Sequence, residues 1–274
     1  MTIPFVKMHG AGNDFVVIDH REPFLAADVG ARRALFAAMC DRRRGVGADG
    51  VLLLERSSAA DFVMRYYNSD GGHADFCGNG ARCIARFALD LKIGASGAGE
   101  AVRFETAVGE KAARLLADGR IELAFGLVDA PESRAVQACG REFAGRFVVT
   151  GVPHFVVGVP DVGAVEFATW SPALRGHEAF GASGANVDWV ARDAEGRVHM
   201  RTWERGVEDE TLACGSGAIA SALWAVAEGA TSPVTVRTAG GDDLVVAFTE
   251  TPQGRLATLT GPAVVVFGGA WPLS

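Results

Sequence analysis

Two cysteines stand in the same frame of small residues, Cys77-Gly78-Asn79-Gly80 and Cys214-Gly215-Ser216-Gly217, and their offset of 137 (214 − 77) is half the length of a 274-residue chain. That spacing is what a duplicated unit would give. A Cys followed by Gly-x-Gly and a helix-forming run predicts a helix start, where backbone N–H groups lack intrahelical partners and the helix dipole is positive. Such an end lowers a thiol pKa and attracts an anion. Two of them facing each other would hold one carboxylate between two thiols, as a two-base proton-transfer site requires.

The elements that must position these thiols recur at an offset of about 137 to 140 residues. A β-branched and aromatic strand, Phe15 to Ile18 and then Phe155 to Val159, precedes a helical segment, about Asp28 to Asp41 and then about Val162 to Phe180. Strands follow at Val51 to Leu54 and Phe62 to Tyr67, and again at Val187 to Val190 and Val198 to Trp203. Each half then reaches its Cys-Gly-x-Gly turn and a helix, Ala81 to Leu91 and Ala218 to Glu228. The second of these helices is apolar nearly all round, so it is predicted to lie inside a strongly curved or barrel-like sheet. The first carries Arg82, Arg86 and Asp90 at helical spacing, a charged stripe expected to form exposed pairs or reach its sheet's rim.

Composition narrows the function. With 49% hydrophobic and 22% charged residues the chain can bury one large core or two ordinary ones. A net charge of −7 leaves no electrostatic footprint for nucleic acid or an anionic membrane. The run Arg42-Arg43-Arg44 reads as a solvated helix end rather than a phosphate site. No apolar stretch is long enough to span a bilayer, and Met1 to Phe15 lacks a signal-peptide core. Five cysteines without a C-x-x-C pair point to reduced thiols and a cytoplasmic enzyme. Cys40 and Cys83 read as core packing, Cys139 lies near a Gly turn, and His73 reads as a solvated loop residue.

Polar residues gather ahead of both frames. Met8-His9-Gly10-Ala11-Gly12-Asn13-Asp14-Phe15 suits a turn that approaches a ligand closely, although an ordinary tight turn would look the same. Asn68-Ser69-Asp70-Gly71-Gly72 is a second turn signal. Trp203-Glu204-Arg205-Gly206 precedes the second Cys, where Glu204 and Arg205 could equally be a surface pair. Asn68 lies nine residues before Cys77 and Arg205 nine before Cys214 (77 − 68 and 214 − 205), which predicts equivalent places for the two side chains.

Together these strings resemble the diaminopimelate epimerase family over essentially the whole chain. The resemblance is carried by Lys7-Met8-His9-Gly10-x-Gly12-Asn13-Asp14-Phe15, Gly45-Val46-Gly47-Ala48-Asp49-Gly50, Asn68-x-Asp70-Gly71 and Cys77-Gly78-Asn79-Gly80-x-Arg82-Cys83. Gly151-x-Pro153-His154, Asn186-Val187 and Glu204-Arg205-Gly206-Val207 with Cys214-Gly215-Ser216-Gly217 complete it. Seven motifs in order are specific where a lone Cys-Gly-x-Gly would be weak. Proline racemases and hydroxyproline epimerases share the two-cysteine layout but typically carry His where Asn79 stands.

The resemblance implies an α/β (α+β) fold of two similar pseudo-symmetric domains, each a curved sheet or β-barrel around a central helix, with the active site in the cleft between them. The expected boundaries are 1–119, to which 264–274 returns, and 120–263. It also implies an isomerase that needs no cofactor and no metal and interconverts LL- and meso-2,6-diaminopimelate for lysine and peptidoglycan synthesis. Cys77 and Cys214 would be the acid/base pair, His154 supporting Cys77 and Glu204 supporting Cys214. Asn13, Asn68, Gly78, Asn79, Asn186, Glu204, Arg205, Gly215 and Ser216 would bind substrate, with Arg205 on the distal carboxylate. The partner is then a small molecule, with a homodimer possible and neither nucleic acid nor membrane involved.

The residues agree with that chemistry. No Lys lies in a motif suited to a pyridoxal Schiff base, and the six histidines show no metal-ligand spacing. Charge developing on the α-carboxylate therefore needs fixed donors, which the N–H groups of Gly78, Asn79, Gly215 and Ser216 can supply. Departures from the common pattern are Val152 where many relatives have Asn, one extra residue in Val207–Thr211, Gly50 and Gly72. Val152 and the longer loop leave open a racemase of another amino acid, such as histidine. A non-catalytic amino-acid-binding protein on the same scaffold is a third reading, against which the retention of both cysteines, His154 and Glu204 counts. Two thiols flanking one carbon also predict an oxidation-sensitive site, and domain closure is expected before proton transfer.

Overall fold

The computed structural model describes residues 2–25, 28–94 and 101–273. The chain forms two compact units, residues 1–124 with 261–274 and residues 125–260.

The first unit runs β1 (Thr2–Gly10), β2 (Asn13–Asp19), α1 (Val29–Cys40), β3 (Gly50–Glu55), β4 (Phe62–Asn68), β5 (His73–Ala74), α2 (Gly78–Asp90), β6 (Val102–Thr106), β7 (Gly109–Leu115) and β8 (Ile121–Val128), whose last residues enter the second unit. The second unit runs β9 (Glu132–Ala138), β10 (Arg141–Val149), β11 (Pro153–Gly158), α3 (Phe167–Arg175), β12 (Asn186–Arg192), β13 (Val198–Glu204), β14 (Asp209–Thr211), α4 (Gly215–Ala227), β15 (Val234–Arg237), β16 (Asp243–Thr251) and β17 (Gly254–Gly261). The last strand, β18 (Val264–Pro272), pairs with β1 and so returns to the first unit.

Strand pairing makes the duplication explicit. In the first unit the order is β18, β1, β2, β3, β4, β6, β7, β8, with β2–β3 and β4–β6 parallel and every other step antiparallel. In the second it is β9, β10, β11, β12, β13, β15, β16, β17, with β11–β12 and β13–β15 parallel. The parallel steps fall at the same two places because each needs a helical crossover. In both units the second crossover carries the Cys-capped helix.

Burial on both faces of the sheet explains the unbroken apolar runs that mark the central strands. In the first unit Phe15, Val17, Leu52 and Leu54 pack inward with Ala81, Ile84, Ala85 and Ala88 of α2. Val16, Ile18, Val51 and Leu53 point the other way, onto Phe36 and Met39 of α1. The sheet curves about α2, which packs against β1, β2, β3, β4, β6 and β7. α4 is enclosed in the same manner by β10 to β13, β15 and β16, as its all-round apolar sequence requires.

Two expectations need correction. The helix predicted from about Val162 to Phe180 is instead a 3₁₀ turn at Val162–Ala164, the short α3 and a second 3₁₀ turn at Glu178–Phe180. Val165 is extended, Gly176 caps α3, and the chain turns extended again at His177, so no continuous helix is possible. Arg82 is also not part of an exposed stripe: it is fully buried, whereas Arg86 and Asp90 do pair on the surface at 2.9 Å.

Two glycines predict opposite responses to the same substitution. A Cβ at Gly158 would lie 2.6 Å from Cζ2 of Trp224, a ring of α4, whereas one at Gly30 in α1 meets only Asp28 Oδ1 at 3.4 Å. Gly158→Ala should lower stability by about 1–3 kcal/mol through overpacking, and Gly30→Ala should raise it by about 0.5–1 kcal/mol through helix propensity. Urea midpoints at constant m-value read both.

Candidate active site

In the first unit the site grows from a hairpin turn laid on a helix end. Cys77 is extended, at φ −143°, and caps α2 by accepting the Gly80 N–H on its sulfur at 3.5 Å. Its thiol donates to Asn13 Oδ1 at 3.4 Å, and Asn79 Nδ2 donates to the same oxygen at 3.2 Å. Asn13 is held by its own donation to Asp49 Oδ2 at 2.7 Å, and Asp49 takes Arg42 at 2.6 Å. Asn79 is held by Arg82 Nη2, which donates to its Oδ1 at 2.8 Å. Arg82 also donates to the carbonyls of Gly78 and Pro262, which is how a buried guanidinium is tolerated.

The glycines of the opening motif follow from this approach. A Cβ at Gly10 would stand 3.0 Å from the Asn79 carbonyl, and Gly12 takes φ +86° in the turn. Asp14 braces the turn with Lys7 at 2.6 Å and Arg42 at 2.8 Å. Burial raises the Asp14 carboxyl pKa, but hydrogen bonds from Arg42 and Lys7 outweigh it and bring the value down to about 2. Arg42 is thus a structural clasp for Asp14 and Asp49 rather than a free solvated charge.

The second unit caps its helix in the same way and adds a buried polar chain. Cys214 accepts the Gly217 N–H on its sulfur at 3.4 Å and lies 3.4 Å from Ser216 Oγ. Ser216 Oγ lies 3.0 Å from His154 Nε2, and His154 Nδ1 lies 2.6 Å from Asp188 Oδ2. Thr202 Oγ1 donates to the other Asp188 oxygen at 2.6 Å. Asn186 Nδ2 lies 3.4 Å from His154 Nε2, while Asn186 Oδ1 accepts the Arg205 N–H at 2.8 Å. Thr150, in the turn before β11, donates to the Ser216 carbonyl at 3.0 Å and so ties that turn to α4. Burial, then the negative charges of Glu204 and Asp188, push the Cys214 thiol well above its ordinary pKa, against the pull of Ser216 and the Gly217 N–H.

Several expected residues fall together and others do not. Asn13, Asn79 and the N–H-bearing Gly78 surround Cys77, and Asn186, His154, Gly215 and Ser216 surround Cys214. Asn68 closes β4 as an exposed residue whose backbone bonds Gly71 and Gly72. Its counterpart is Glu204 and not Arg205. β4 and β13 are both seven residues long, and their first residues, Phe62 and Val198, each begin the parallel pairing to the strand after the capped helix. The longer loop before Cys214 displaces the count by one. His154 makes its bonds to Ser216, Asp188 and Asn186 of its own unit. The Arg205 guanidinium is in no ion pair among the described residues, and Val152 is half-buried with its carbonyl accepting the Thr150 N–H.

Cys40 and Cys83 are buried, and burial pushes both thiols up to about 12. Cys139 is exposed in a turn, and His73 is exposed with its ring edge-on to Tyr67. Asp49, Arg82, Thr150, Asp188 and Thr202 join the site without having been expected there. Asp188 had a signal: it lies two residues after Asn186 on one strand, hence on the same face.

Comparison with known proteins bears on this arrangement. The diaminopimelate epimerase family profile matches residues 5–129 and 146–266. The diaminopimelate epimerase of Aquifex aeolicus is 40% identical over 274 residues, covering 97% of this chain and 96% of that protein. That of Gemmatimonas aurantiaca is 41% identical over 283 residues, covering 97% and 98%. Among solved structures, a hydroxyproline epimerase from Agrobacterium vitis superposes with TM-score 0.71 at 20% identity, covering 99% of this chain and 93% of that one. A Bacillus anthracis phenazine biosynthesis protein of the PhzF family gives 0.77 at 15% identity, covering 100% of both chains. These two likenesses establish the shared fold. Profile and full-length identity together place the chain in the diaminopimelate epimerase family.

Proposed function

We propose that this chain interconverts LL- and meso-2,6-diaminopimelate by two-base proton transfer, one thiol removing the α-proton while the other delivers a proton to the opposite face. The observation that carries the reading is the recurrence of a cysteine as the N-cap of the equivalent helix in both units. An α-amino-acid proton is a very weak acid, so the negative charge that reaches the α-carboxylate must be met by preorganised donors. The N–H groups of Gly78, Asn79, Gly215 and Ser216, at two helix N-termini, are such donors, and losing one typically costs about 3–4 kcal/mol of barrier. No cofactor enters this scheme.

Charge and burial divide the labour. The pKa of Cys214 is raised by burial and by Glu204 and Asp188, so it begins as the proton-donating thiol and Cys77 begins as the base. Glu204 and His154 act on the thiols rather than on the substrate carbon. Arg205 takes the distal carboxylate in bidentate fashion, supported by its lack of an ion pair among the described residues. Asn13, Asn68 and Asn186 serve the polar groups of the distal centre, whose absence from a smaller substrate would leave buried partners unpaired. A racemase of another amino acid is the second reading, favoured by Val152, whose side chain offers no hydrogen bond where Asn is common. We assign the enzyme to the cytoplasm. A homodimer is also proposed, supported by the exposed apolar run Val264, Val265, Val266 and Phe267 on β18.

Purified protein should epimerise LL-diaminopimelate without added cofactor, followed by chiral chromatography. Cys77→Ala and Cys214→Ala should each lose activity by roughly 10²–10⁴-fold or more. Turnover of histidine or another amino acid in preference to diaminopimelate would replace the substrate assignment while leaving the two-thiol chemistry. Arg205→Lys should raise KM by about tenfold with a smaller change in kcat, because a point charge cannot copy a planar fork.

A further inference from the structure

We propose that Asp49 and Arg82 are positioning residues that fix the Asn13 amide with its oxygen on Cys77, so that the thiol keeps its proton until an ammonium group of the substrate claims that oxygen. The inference rests on the two-thiol reading and deepens it, because it says when the first base forms.

The polarity of the cradle is settled at its two ends. Asp49 as a carboxylate can only accept, so the Asn13 atom that meets its Oδ2 at 2.7 Å is the amide nitrogen. A guanidinium can only donate, so the Asn79 atom that meets Arg82 Nη2 at 2.8 Å is the oxygen. Both amides are thereby oriented. The Asn79 nitrogen donates to Asn13 Oδ1 at 3.2 Å, and the Cys77 thiol donates to the same oxygen at 3.4 Å. An oxygen accepts the S–H bond and repels a thiolate, so this arrangement favours the neutral sulfur.

The backbone leaves Asn13 little freedom to turn away. Asn13 pairs with Gly10 in the β1–β2 hairpin, and the two residues between them, Ala11 and Gly12, are both left-handed at φ +56° and +86°. That is the two-residue turn which matches strand twist. His9 Nδ1 accepts the Gly12 N–H at 3.2 Å, and Ala11 is fully buried. A Cβ at Gly10 would lie 3.3 Å from Arg82 Nη2, so the hairpin rests directly on the end of α2. Arg42 meets the other Asp49 oxygen at 2.6 Å and compensates its charge. What reaches Cys77 from Asp49 is therefore the orientation and polarisation of an amide rather than a bare negative field.

A bound amino acid reverses the balance. Its ammonium group donates to Asn13 Oδ1 more strongly than a thiol does. The S–H proton then passes to solvent water while the sulfur keeps the bonding pair. The thiolate is left beside a cation and the Gly80 N–H, which stands 3.5 Å from the sulfur. A dicarboxylate without an ammonium group leaves the proton in place, so the base is made only for an amino acid.

The test follows Cys77 in Cys214→Ala, where turnover is stopped, by ultraviolet thiolate absorbance at neutral pH. Diaminopimelate should raise the absorbance, and pimelate, the same dicarboxylate without amino groups, should not, each at a concentration that saturates binding by calorimetry. Before ligand is added, Asn13→Ala should speed modification of Cys77 by methyl methanethiosulfonate about tenfold and raise its thiolate absorbance. Mass spectrometry resolves the thiols, with the exposed Cys139 as internal reference. Asp49→Asn should act in the same direction and add nothing to Asn13→Ala, since both remove one contact. A slower Cys77 in Asn13→Ala would mean that Asn13 stabilises the thiolate, and it overturns the proposal. So does an Asp49→Asn effect that persists undiminished in Asn13→Ala, which makes Asp49 a charge acting through space, or an equal rise in absorbance with pimelate. The ligand comparison leaves the cradle unaltered and stays decisive should Asn13→Ala fold poorly. Epimerisation by wild type is scored separately, so failure of this gate is distinct from failure of the two-thiol reading.

Discussion

The N–H group donated to a cysteine sulfur at the start of a buried helix is the interaction on which the rest depends. Gly80 makes it to Cys77 and Gly217 to Cys214, at 3.5 and 3.4 Å. The first N–H groups of a helix have no intrahelical partner, so something must accept them. Sulfur satisfies one of them weakly at each helix end. Structure and chemistry thus meet at one residue in each unit, and the curved sheet exists to bury the helix whose end is left reactive.

Around that shared cap the units have diverged. The first surrounds its thiol with amides anchored by ions, running from the exposed Arg42 through Asp49 and Asn13 and from the buried Arg82 through Asn79. The second surrounds its thiol with a carboxylate, an imidazole and a hydroxyl in series. A neutral cradle and a titratable chain suit different roles for the two sulfurs, even though both sit on the same scaffold.

Much of this was legible in the sequence because local chemistry determined it. Cys-Gly-x-Gly before an apolar run is a helix start wherever it occurs, and the runs Phe15 to Ile18 and Val51 to Leu54 are two-sided strands. Contacts set by side-chain direction were harder. Arg82 reads as surface charge until three acceptors are found around it in the core, and Asp188 passes as an ordinary position of the strand Val187 to Val190 until Thr202 and His154 meet it from neighbouring strands. Counting back nine residues from each cysteine chose Arg205, because a loop one residue longer shifts the count without moving the strand. The segment 162–180 misled for a related reason: helix-compatible residues are interrupted by single extended positions that a window average does not register.

The most direct measurement of the two-base account is the isotope content of both diastereomers after brief reaction of LL-diaminopimelate in deuterium oxide. Two thiols acting on opposite faces predict that the meso product carries deuterium at its inverted centre while recovered LL substrate retains protium at early times. Deuterium entering the recovered substrate as fast as the product, or product that keeps the original protium, would mean that one base serves both faces and would contradict the account.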